Sequence, residues 1–119
     1  MKSKVEKLNV YFEQSIAACK ERENALISDQ RADEANFEKI RANIYDIFRT
    51  ILNAALKKCG DDESAVKEFF AEKIESIPSG WKTELENASM HGDAEKQRIE
   101  EIKLEAAVKI KTEFVKIWG

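Results

Sequence analysis

Apolar residues recur every three or four positions along almost the whole chain, a spacing that predicts long amphipathic helices and no strands. The first stripe is Val5, Leu8, Phe12, Ile16, Cys19, Leu26 and Ile27, which gives a helix from about Ser3 to Ser28 with one narrow buried face. Ser3 followed by Glu6 has the form of a capping box at its start. Asp29-Gln30-Arg31 ends it, although neither glycine nor proline stands there.

A second helix is predicted from about Asp33 to Lys58, carrying Phe37, Ile40, Ile44, Ile47, Phe48, Ile51, Leu52, Ala55 and then Cys59. Tyr45 and Leu56 widen its apolar arc to about half the circumference, so it should touch more than one neighbour. Lys57 and Lys58 suit the negative end of the helix dipole, and Gly60 follows as the residue that turns the chain away.

Asp61-Asp62-Glu63-Ser64 supplies capping and helix-start residues for the next segment. Val66, Phe69, Phe70, Ile74 and Ile77 continue at helical spacing as far as Pro78-Ser79-Gly80. Proline cannot donate to the Ile74 carbonyl, and it biases Ile77 away from helical geometry. A broken column is therefore expected, resuming at Trp81 and running through Leu85 and Ala88 to His91 and Gly92. Asp93 caps a last helix that reaches Trp118, with Ile99, Ile102, Ala106, Ile110, Phe114 and Ile117 in one stripe. Leu104, Val108, Val115 and Trp118 lie well round that cylinder. A single column of a simple bundle needs less apolar surface. The helix should be clasped on two sides or meet another chain.

These elements, joined by short links, predict an all-α fold: an antiparallel up-down-up-down four-helix bundle with its third column broken at Pro78–Gly80. The length fits a single helical-bundle domain spanning 1–119. The chain has four glycines and one proline, with 36% charged and 43% hydrophobic residues, a composition that suits globular helices and argues against disorder. Apolar runs are too short for a membrane span. The basic start, Met1-Lys2-Ser3-Lys4, has no apolar run behind it of the kind a signal peptide needs, so a cytoplasmic location is the default expectation.

Candidate chemistry is sparse. His91 is the sole histidine, and no Glu-x-x-His pair or paired cysteines exist, so no metal and no cofactor are expected. At a helix C-terminus beside Gly92, His91 reads as a cap for the last carbonyls rather than a catalyst, and no catalytic residue is assigned. Cys19 and Cys59 would lie far apart on an antiparallel hairpin and read as small apolar side chains. The acidic inward stripes that an all-carboxylate metal site would need are not apparent. A net charge of −3 gives no general attraction to nucleic acid. Gly60 to Gly92, where a recognition helix could be imagined, holds three basic residues against eight acidic, so nucleic-acid binding is disfavoured.

The functional expectation is a non-catalytic interaction or assembly protein that forms a homodimer, or binds another protein, through Val108, Val115 and Trp118. The competing expectation is a small-molecule or lipid pocket at the helix break, lined by Phe69, Phe70, Ile77 and Trp81. The residues specify an architecture, and no motif among them specifies a reaction.

Overall fold

The computed structural model describes residues 3–119. They form four α-helices: α1 (Lys4–Ser28), α2 (Ala32–Cys59), α3 (Glu63–Met90) and α4 (Ala94–Trp118). The helix starts follow local chemistry. Ser3 Oγ accepts from the Glu6 amide at 3.1 Å, and Asp62 and Asp93 carboxylates accept from Ala65 and Lys96 amides at the same distance. Each bond satisfies an amide that the first helical turn leaves unpaired. At the end of α3, His91 Nδ1 donates to the Asn87 carbonyl across 2.7 Å, the capping role its position suggested.

Every link is three residues long, which forces consecutive helices to run antiparallel. The ion pairs record that sense. On α3 and α4, Glu84 pairs with Lys96 and the earlier Glu75 with the later Lys111, while Arg22–Glu38 and Lys39–Glu23 tie α1 to α2 beside their shared turn. The closest pairings are α1 with α2 and α3 with α4; α2 then joins the two hairpins by packing on both α3 and α4. The result is the four-helix bundle expected from periodicity.

Phe70 is the hub of the core. Its ring lies 6.3 Å from Phe12 of α1, 6.0 Å from Phe48 of α2 and 4.9 Å from Phe114 of α4. Around it sit Leu8, Leu52, Val66 and Ile110, all fully buried. These residues come from the first half of α1, the second half of α2, the first half of α3 and the second half of α4. In an antiparallel array those halves share one end of the bundle, so the four-way core is concentrated there. The shape agrees: the extents are 44 × 35 × 22 Å, and the radius of gyration of 15.7 Å exceeds the roughly 13.5 Å typical for this length.

The third column is not split. α3 is helical from Glu63 to Met90, with Pro78 inside it, and Gly80 does not adopt the positive φ seen at Gly60 and Gly92. The expected break at Pro78–Gly80 is overridden by packing. Proline removes one helical hydrogen bond at a cost of about 3 kcal/mol. Pro78 and Ile74 are buried, and α4 lies along the same segment, so leaving the helix would expose both and lose that contact. Thr83 Oγ1 also donates to the Ser79 carbonyl across this stretch.

Candidate functional site

α4 explains most of its wide apolar arc by touching all three other helices. Ile102, Ala106, Ala107, Ile110, Phe114 and Trp118 are buried. Two residues are not: Val108 is 63% exposed and Val115 52%. They stand seven residues apart, two helical turns, and so share one face. Leu104, one turn before Val108, is half-buried on the same side.

Trp118, the third residue of the expected interface, belongs elsewhere. It is ten residues beyond Val108, which turns it about 80° away from the Val108–Val115 face. Its ring packs 5.2 Å from Phe114 inside the core. The structure therefore brings Val108 and Val115 together and separates Trp118 from them.

The outer surface between α3 and α4 forms an open groove of about 520 Å³ lined by Leu85, Leu104 and Val108, with Glu101, Glu105 and Lys109 at its margin. A smaller cavity of about 120 Å³ adjoins it at Leu104 and Val108 and reaches Pro78, Lys82 and Lys111. Glu75 bridges to Lys111 across the helix pair. Glu101 and Glu105 both lie on Arg98, at 3.4 and 3.3 Å. Thr112 donates its hydroxyl to the Val108 carbonyl at 2.9 Å, so it demands no polar partner from outside.

The four residues named for a pocket at Pro78 have other work. Phe70 is the core hub, and Ile77 packs against the core. Trp81 stands edge-on to Phe48 at 6.3 Å, with Lys103 Nζ 5.9 Å from its ring. Phe69 lies under Lys58 and Lys73, at 5.4 and 5.6 Å. The small cavity that does reach Pro78 is lined by Ile74, Glu75 and Lys82 of α3 and by residues of α4, and by none of these four.

Two buried carboxylates escaped the reading of periodicity. Glu38 on α2 is held between Arg22 Nε at 3.0 Å and Arg41 Nη1 at 2.6 Å. Glu100 on α4 receives Lys103 at 3.1 Å on one oxygen, while its buried Oε2 has no hydrogen-bond partner among the described residues. A signal for both was present. Glu38 precedes the core residues Tyr45 and Leu52 by seven and fourteen positions, and Glu100 stands likewise to Ala107 and Phe114. The i,i+3 cation after each completes the pattern.

Cys19 sits in the core, as a small apolar side chain of the first stripe would. Cys19 is fully buried, and burial, reinforced by Glu38, pushes its thiol above the ordinary range although Arg22 opposes this. Its sulfur accepts from Arg22 at 3.4 Å. Among the described residues no three His, Cys, Asp or Glu side chains converge into a metal-sized group, and no helix is long and apolar enough to cross a membrane. Compared with protein-family models, curated proteins and solved structures, the chain has no match.

Proposed function

We propose that this chain is a non-catalytic assembly protein that self-associates through the outer face of α4. The reading rests on one observation: Val108 and Val115 are exposed on the same face of a helix whose other large apolar side chains are at least half covered, beside a groove floored by Leu85 and Leu104. Scattered exposed apolar residues are ordinary, but a contiguous set rimmed by charge marks a protein-binding surface. The neighbouring side chains favour docking over chemistry. Thr112 and Glu101 already have partners, and the groove is too open to enclose a small molecule, which pockets for such ligands usually bury by more than two-thirds. A cytoplasmic setting suits its two unpaired thiols.

Light scattering on the full chain at micromolar concentration tests the reading. It should give about twice the 13.6 kDa chain mass, and Val108→Glu should return the mass to one chain while far-UV circular dichroism stays helical. A wild-type chain that stays monomeric at high micromolar concentration would overturn it.

A further inference from the structure

Resting on that reading, we infer that the occupant of the α4 face is α4 of a second copy, lying antiparallel about a two-fold axis close to position 109–110. The argument is the distribution of charge and apolar surface along this one face. Glu101 and Glu105 occupy its N-terminal half, and Lys109 and Lys116 its C-terminal half. Arg98 is shared by both glutamates, which leaves that half with an acidic excess. Lys116 is exposed and makes no ion pair among the described residues, so the other half carries a basic excess.

Parallel pairing would set acid on acid and base on base. Antiparallel pairing sets each half on its complement, and a two-fold repeats the gain on both sides.

The register follows from the apolar residues. An axis midway between 109 and 110 places Leu104 of each copy level with Val115 of the other. The two Val108 side chains then stand about 4.5 Å apart along the helix direction, at 1.5 Å rise per residue. One continuous apolar strip results, Leu104–Val115 at each end and the Val108 pair at the centre. In the same register Lys116 falls level with position 103 of the partner, between Glu101 and Glu105 and about 3 Å along the axis from each. Both Lys116 and the two glutamates lie on the same flank of the strip, so the two-fold brings them together. Thr112 faces the contact with its hydroxyl already spent within α4.

Cysteine cross-linking reads this register directly. In a Cys59→Ser background, with Cys19 left in the core, the double variant Leu104→Cys/Val115→Cys should form a covalent dimer on mild oxidation. Each single variant should not, because each site lies about 16 Å along the axis from its own mate. Cross-linking of either single variant, or a dimer by light scattering whose double variant stays uncross-linked, would overturn the antiparallel arrangement while leaving self-association standing. A monomeric chain would remove both. Lys116→Glu, a surface change remote from the core, supplies an independent reading: it should weaken dimerisation about fivefold, the scale of two exposed ion pairs, and Glu105→Lys added to it should recover part of the loss. An unchanged dimerisation constant for Lys116→Glu would count against the register.

Discussion

The α1–α2 and α3–α4 hairpins are the same size and hide one glutamate each, yet they break local rules in opposite places. In the first, the interior is well satisfied and the turn is not. Glu38 has two arginine partners, whereas Gln30 is held at φ 59° and the α2 N-cap, Arg31, makes no side-chain capping bond. In the second, the turn is well made and the interior is not. Gly92 takes the left-handed position at φ 69° and Asp93 caps α4, but Pro78 stands within α3 and Glu100 has an unpartnered buried oxygen. Each hairpin tolerates its fault because the other part over-determines the structure. A strained turn survives when the helices it joins are locked, and a faulted helix survives when its neighbour holds it.

The largest test of this contrast is at the glutamates. Glu38→Leu should cost about 2–3 kcal/mol in urea unfolding, below the usual range for a broken buried ion pair because Arg22 is more than half exposed and can rehydrate. Glu100→Leu should be neutral or stabilise by about 1 kcal/mol, since it removes a buried oxygen that nothing satisfies. Equal losses at the two sites would erase the distinction between the hairpins.

Pro78→Ala comes next, and should stabilise by about 1–2 kcal/mol: a helical hydrogen bond to Ile74 is restored, less the burial lost with the ring and the freedom given back to the unfolded chain. A destabilised variant would mean that Pro78 packing matters more than its missing donor. At the turns, Gln30→Gly should stabilise by about 1 kcal/mol and Gly92→Gln should cost a similar amount, because only the left-handed backbone penalty is exchanged. Urea midpoints that move in the same direction would break the symmetry.

The smallest effect is electrostatic and belongs to α3–α4 alone. Glu75 and Glu84 have carboxyls below their ordinary 4.5, chiefly through hydrogen bonds from Lys111 and Lys96. A depressed carboxylate stabilises the fold above its unfolded value, and that contribution is lost as pH falls through the folded value. Stability should therefore decline from about pH 4.5 downward, and Glu84→Gln should flatten part of that decline. An acid limb with the same slope in the variant would remove Lys96–Glu84 from the account.

Much of this was legible in the sequence, and the reasons are local. Caps at Ser3, the turn at Gly60, the His91 bond and the Asp93 restart all act within four residues, so spacing alone reports them. Periodicity likewise gave four helices, because a helix returns to the same face every 3.6 residues whatever lies opposite. Glu38 and Glu100 were legible too, but only to a reading that follows heptad offsets regardless of residue type. The candidate site was half legible: apolar excess on α4 pointed to Val108 and Val115, which the structure leaves exposed, and to Trp118, which the end-loaded aromatic core takes in.

What the sequence by itself determined is where the turns and caps between the four helices fall and which faces are apolar, since those depend on local hydrogen bonds and side-chain spacing. Tertiary structure decided the rest. It kept α3 whole through Pro78, because burial against α4 outweighs one missing hydrogen bond. It also sorted the apolar residues of α4 into core and surface, because burial depends on which neighbour lies across each face, and a single helix does not contain that information.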